Sequence, residues 1–566
     1  MTLDYVANDG LCAGDDAVAG DCDCGGSCAE FGAGCANGCA DGCANGCADG
    51  CADGCDCSEA PEAGPETAPD DCGSASAALL TPVALKAAPS NTGGGKPGKA
   101  PRPKRPDFVS TTNACKLCTP LGAMLAFRGV EGAVPFLHGS QGCATYMRRY
   151  VISHYREPMD IASSSLGEKQ AVYGGGPNLK KGILNVMKKY DPALVGVATT
   201  CLTETIGDDV GGYLREFRNE FGDLDLPEIV HVHTPSYSGT HMEGWNAAVR
   251  ALVDQLAIDK VEPHGKVALL PGFVSPADLR HLRDLVTDFG SDVVILPDLS
   301  DPLDGPALED YTPLPEGGTP LADIRALSGA AAVIECGRSL AMTPTGPSGS
   351  SGSAGPATAG RVLHERFGLP LHAVGLPIGL RETDALVAAL EAVTGKPLPR
   401  RHELERGRFV DALVDGHKYV SGKRAVVYGE ADLVIGLVSL LTEIGVHTVL
   451  AATGTRGAHL AESIAAVTEG MLPAMPAVIE GADFEEIADT AEGLSPDLLV
   501  GNSKGYRYAR QWNIPLVRAG FPIHDRFGGH RLLHVGYAGA QALMDRIVNA
   551  VIEKTQSDSP VGYCYL

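Results

Sequence analysis

Aromatic residues are scarce in this chain, at 5%, and only two of them are tryptophan. Long apolar runs are missing as well: none reaches the roughly 18 residues needed to span a bilayer, and the opening MTLDYVANDGLC lacks the basic patch and apolar stretch of a secretory signal. A cytoplasmic protein without a membrane segment is therefore expected. Basic charge is in deficit too, with 45 Lys and Arg against 70 Asp and Glu and a formal charge of −25, which argues against nucleic-acid binding. No GxGxxG follows the first apolar run of the body, and no GxxxxGK followed by Ser or Thr occurs, so nucleotide binding by this chain itself is not expected. What is present is 566 residues, 44% of them apolar, enough for three or four domain-sized units.

The charge and the cysteines are unevenly spread. Residues 1–75 hold sixteen Asp or Glu and no Lys or Arg, and twelve of the 18 cysteines fall within residues 12–72. Several cysteines follow a four-residue step in GCANGCADGCANGCADGCADGCDC (Cys35, Cys39, Cys43, Cys47, Cys51, Cys55, then Cys57). Such Gly, Ala, Asn and Asp repeats offer little apolar surface to offset the entropy of ordering, so an acidic, low-complexity, disordered tail is expected over 1–75. It is read either as an expendable repeat, or as a store of soft-metal ligands, or as a disulfide framework, which a reducing compartment disfavours. A Pro- and Gly-rich basic linker follows over 76–107, and the folded body spans 108–566.

In that body short apolar or β-branched runs alternate with amphipathic stretches. They lie at 133–137, 193–198, 228–233, 266–271, 292–297, 331–335, 369–377, 424–429, 447–452, 497–501 and 515–519. Runs apolar on both faces, separated by helical segments such as 431–444, predict parallel sheets covered on both sides. Eleven strands exceed one comfortable sheet. The expectation is an α/β fold of three Rossmann-like, doubly wound lobes, with ligands in the crevices outside the carboxyl ends of the strands.

Six cysteines lie in the body: Cys115, Cys118, Cys143, Cys201, Cys336 and Cys564. Cys118 opens LCTPLGA, Cys143 closes LHGSQGC after the run 133–137, and Cys201 closes VATTC after 193–198. Thiolates converging from separate loops, with small residues such as Gly139 and Gly142 beside them and hydroxyls such as Ser236 in HTPSYSG, suit an iron–sulfur cluster. Buried structural thiols are the alternative, and a zinc site has only the pair Cys115-x-x-Cys118 in its favour. His138 is expected to be a backbone-bonded turn histidine. Arg148, Arg149, Arg156 and Glu157 are expected on a solvated or subunit-interface face, and Glu204, Asp208 and Asp209 in the first turns of a helix, where its dipole favours negative charge.

The segments CTPLGAMLAFRGVEGAVPFLHGSQGCATYMRR, HYREP, GGGPNLKKGILN, TTCLTETIGDDV, HTPSYSGTHMEGWN, LPIGLRETD, LLVGNSKGY and RAGFPIHDR resemble the beta-type subunits of the nitrogenase component 1 superfamily over about residues 108–555. The resemblance implies an α2β2 heterotetramer with an alpha-type partner and an ATP-dependent iron protein that delivers electrons. It also implies an interface cluster held here by Cys118, Cys143 and Cys201, with Ser236 as a redox-dependent ligand. That cluster would be a P-type 8Fe-7S cluster shared with the partner, or alternatively a 4Fe-4S cluster. Cys336 and Cys564 match no ligand of the family.

Within the superfamily, the complete ligand set combined with scaffold-like phrases such as NIPLVRAGFPIHDRFGGHRLLHVGYAGA resembles the reductases that cleave C–S bonds in methylthio-alkanes. The alternatives are the beta-like subunit of the iron–molybdenum cofactor biosynthesis scaffold and a dinitrogen-reducing beta subunit. Deleting residues 1–75 is expected to leave the activity of the purified complex nearly unchanged. Loss of iron from the complex on that deletion would instead mark the tail as a metal-delivering element.

Overall fold

The computed structural model describes residues 115–561 apart from 238, 311, 342–357 and 473. The Cys-rich tail, the linker, the expected start of the body at Phe108 and Cys564 lie outside the described residues. Among the described residues no helix is long and apolar enough to cross a membrane.

Three parallel sheets organise the chain. Lobe I contains β1 (Ala133–His138), β2 (Ala162–Ser163), β3 (Leu194–Thr199) and β4 (Glu228–Val232); lobe II contains β5 (Val267–Leu270), β6 (Val293–Ile295), β7 (Ala332–Cys336) and β8 (Leu371–Val374). Lobe III contains β9 (Arg424–Gly429), β10 (His447–Thr453), β11 (Ala477–Glu480), β12 (Leu498–Gly501) and β13 (Leu516–Arg518). All of their pairings are parallel. The strand orders are β2-β1-β3-β4, β6-β5-β7-β8 and β11-β10-β9-β12-β13. Each sheet thus reverses its winding once, between β1 and β3, between β5 and β7, and between β9 and β12.

Strands β1, β3, β5, β7 and β12 are buried at every position, as strands flanked by helices on both faces must be. Each of the eleven apolar runs contains a strand, and the helix expected over 431–444 spans Ala431–Glu443. Two strands were not legible: β2 has only two residues, and β11 is partly exposed. Both are sheet edges, where a long apolar run is not required.

One hydrophobic cluster runs through all three lobes, including Phe127, Trp245, Leu269, Phe289, Val434 and Leu437. Its entry element is the helix Thr119–Arg128, buried at every residue, with Pro at its start and Gly129 at its end. A helix apolar all round needs protein on every side, and here the helix His241–Leu256 comes so close that backbones touch. A Cβ on Gly122 would lie 1.7 Å from the His241 carbonyl oxygen, and one on Gly244 would lie 1.8 Å from that of Thr119.

Gly122→Ala is therefore expected to destabilise the protein by about 2–3 kcal/mol, read as a lower urea midpoint. Stability within about 0.5 kcal/mol of the parent, the range of an ordinary surface change, would contradict this close packing.

Candidate metallocluster site

Paired strands β1 and β3 end together, with His138 opposite Thr199. The chain leaves both at the winding reversal of lobe I, where open α/β sheets form their ligand crevice. Ser140 stands at the N-cap position of the helix Gln141–Tyr155, which carries Cys143 in its first turn; Thr200 stands at that of the helix Cys201–Ile206, which begins on Cys201 itself. Cys118 in turn is the cap residue of Thr119–Arg128. All three thiols therefore lie at helix N-termini, where unsatisfied N–H groups and the helix dipole favour negative charge.

The loops are tied to one another by direct contacts. The Ser236 N–H donates to Cys201 Sγ at 3.3 Å, and Ser236 Oγ accepts from the Thr119 N–H at 3.1 Å. Ser140 Oγ lies 3.5 Å from Cys143 Sγ. Cys118 is open to solvent on one side and enclosed by protein on the others. That enclosure lifts its thiol above the ordinary value; the Ser236 hydroxyl, bonded to it, pulls the other way, and Cys201 and Cys143 add to the rise. The structure thus brings together all four residues singled out in the sequence.

Among the described residues no three His, Cys, Asp or Glu side chains gather around a point suited to a single metal ion. Partly open thiols reaching in from separate loops suit a wider polynuclear group. The hydroxyls of Thr119 and Thr200, each adjacent to one of the cysteines, are buried without a hydrogen-bond partner, and the space over Gly142 is open. These residues fit an iron–sulfur cluster.

The remaining candidates fall elsewhere. Cys115 is buried in the core of lobe III among Val426, Tyr428 and Phe484, and burial pushes its thiol up to about 12. Cys336 ends β7 in lobe II, also pushed up to about 12 by burial. It lines a cavity of about 570 Å³ at the winding reversal of lobe II, together with Gly272, Glu335 and Asp432; none of the three candidate cysteines lines it.

His138 differs from its sequence expectation. Both ring nitrogens bond side chains, Nδ1 with Ser164 Oγ at 3.0 Å and Nε2 with Asp208 Oδ2 at 3.1 Å. Burial lowers its pKa while Asp208 opposes the shift, which suits a neutral ring donating from Nε2 and accepting at Nδ1. The carboxylates after Cys201 also divide. Glu204 lies in the first turn of its helix and Asp209 caps the next one, accepting from the Gly212 N–H at 2.8 Å, whereas Asp208 turns inward to His138, Tyr213 and the Gly175 N–H. Sequence could not separate Asp208 from Asp209, because only the turn at Gly207 decides which one faces the core. Arg148, Arg149 and Arg156 are exposed, as expected for that face.

Three doubly wound α/β lobes, with three cysteines meeting at the winding reversal of the first, are the features that class this chain. The chain belongs to the nitrogenase component 1 type oxidoreductase family, whose model matches residues 118–552, and it is an oxidoreductase subunit of the beta type. It is 34% identical to the nitrogenase molybdenum-iron protein beta chain of Clostridium pasteurianum over 447 residues, 79% of this chain and 94% of that one. It is also 35% identical to the nitrogenase vanadium-iron protein beta chain of Trichormus variabilis, over 77% of this chain and 92% of that one. Among solved structures, nitrogenase Cp1 at pH 6.5 superposes with a TM-score of 0.76 at 31% identity, covering 82% of this chain and 99% of that chain.

The loops bearing Cys143 and Cys201 touch where Gly139 packs on Thr200: a Cβ on Gly139 would lie 2.1 Å from Thr200 Oγ1. Gly139→Ala is expected to separate these loops and lower the iron bound per complex. Gly407→Ala, at a position with nothing within 4 Å of the added Cβ beyond its own helix backbone and chain neighbours, should leave iron content unchanged. Equal iron in both variants would show that the contact does not set the site.

Proposed function

We propose that this chain is the electron-relaying, beta-type half of a nitrogenase-like reductase. It pairs with an alpha-type subunit in an α2β2 assembly, accepts electrons from an ATP-dependent iron protein, and serves reductive C–S cleavage of methylthio-alkanes at a metallocluster in the partner. In this reading residues 108–566 are the cytoplasmic reductase body, and residues 1–107 are an appended acidic tail and linker with no part in electron transfer. The observation that carries the reading is the meeting of Cys118, Cys143, Cys201 and Ser236 at the lobe I winding reversal.

An interface iron–sulfur cluster, P-type 8Fe-7S or alternatively 4Fe-4S, would supply one-electron redox chemistry there. Cys118, Cys143 and Cys201 would hold it as thiolates, and the helix N-termini behind them offset their negative charge. Ser236 keeps a hydroxyl beside Cys118 as a further oxygen donor. Aromatic side chains stand exposed around these loops: Tyr146, one turn after Cys143, at 67%, and Tyr237, next to Ser236, at 55%. An exposed aromatic rim of this kind is what a partner subunit covers.

Support for C–S cleavage comes from the scaffold-like body sequence combined with a complete ligand set. Dinitrogen reduction is the second reading, favoured by relatives that are molybdenum-iron and vanadium-iron nitrogenase beta chains. The test uses the anaerobically purified complex with its alpha-type partner, iron protein and ATP. Methanethiol and an alkane released from a methylthio-alkane, without ammonia from dinitrogen, are the expected products. Ammonia would establish the second reading, whereas a simple four-iron signature in Mössbauer spectra with neither product would point to the cofactor scaffold. Cys143→Ala is expected to abolish turnover and lower iron content while the fold survives; full iron and activity would sink the assignment.

A further inference from the structure

The winding reversal of lobe III, between β9 and β12, also forms a crevice at the carboxyl ends of strands. Glu430 follows β9, and the turn Asn502–Lys504 follows β12. This crevice is filled by the chain's own segment 115–118, which leads into Cys118. The Cys115 N–H donates to the Ala482 carbonyl at 3.1 Å, and a Cβ on Gly454 would lie 2.2 Å from the Cys115 carbonyl oxygen. Lys504 Nζ donates to the Lys116 carbonyl at 3.3 Å. The Leu117 N–H donates to His241 Nδ1 at 3.3 Å, and His241 Nε2, 3.1 Å from Glu430 Oε1, donates to that buried carboxylate.

A cation and an anion of lobe III are thus fixed beside the backbone that presents Cys118. Lys116 turns its own ammonium the other way, to the Gly239 carbonyl at 3.1 Å, near the Ser236 loop. Resting on the cluster-holding reading above, we propose that Lys504 is a positioning residue that raises the reduction potential of the Cys118–Cys143–Cys201 site, and that Glu430 opposes it. Reduction adds negative charge. A half-buried ammonium one hydrogen bond from the Cys118 segment favours the reduced state through a medium of lower effective dielectric than water, and a buried carboxylate disfavours it.

The test is an EPR-monitored redox titration of the complex with its alpha-type partner, with iron counted in each sample. Lys504→Met is expected to lower the midpoint potential, Glu430→Gln to raise it, and Lys504→Arg to stay near the parent. Opposite signs in the first two variants cannot come from general loosening of the segment. An unmoved potential in Lys504→Met at full iron content, or shifts of the same sign in both, would overturn the proposal. If Lys504→Met binds less iron, Lys504→Arg decides: parent-like iron and potential support the charge, and a loss like that of the methionine variant refutes it. Cys118→Ala serves as the separate control, because undiminished iron there would overturn the cluster reading itself rather than the role of Lys504.

Discussion

The hydrogen-bonded pairing of β1 with β3 is the interaction on which the site depends. Parallel neighbours lie about 4.8 Å apart, so chains leaving both at the same level must emerge side by side. His138 and Thr199 close the pairing at one level, and the winding reverses between these two strands, so no crossover helix covers their ends. Gly139 and Thr200 continue in contact, and Cys143 and Cys201 follow on separate helices. The thiols are close because a ladder of backbone hydrogen bonds fixes the origin of both loops.

Cys118 arrives by a different route. Its helix reaches the crevice because Gly122 and Gly244 let two helices approach to backbone contact, and the second of these helices begins just after the Ser236 loop. Upstream, the segment 115–118 is gripped by lobe III through Ala482, Gly454 and Lys504. The candidate site therefore joins two lobes: two thiols are fixed by the sheet of lobe I, and the third is fixed by helix packing and by lobe III. Burial separates the roles of the cysteines in the same way. Cys115 and Cys336 are buried and their thiols are pushed up to about 12, whereas Cys118, Cys143 and Cys201 all keep some exposure to solvent.

The class of fold and the candidate cysteines are legible in the order of residues alone. Buried parallel strands must be apolar on both faces, so their runs are visible in composition alone, and cysteines directly after such runs stand at strand ends whatever the tertiary arrangement. Family resemblance added Ser236 and the grouping of the cysteines. The edge strands β2 and β11 stayed hidden because an edge needs neither length nor full burial.

Which residues meet depends on how the three sheets and their helices pack together. Asp208 and Asp209 are adjacent and identical in type, yet one is a buried hub for His138, Tyr213 and Gly175 while the other caps a helix. The neighbours of His138, the route of Leu117 through His241 to Glu430, and the placement of Lys504 on Lys116 join residues up to 388 positions apart. No local pattern encodes such contacts, since they follow from the order in which strands are laid into sheets and from how closely helices can pack.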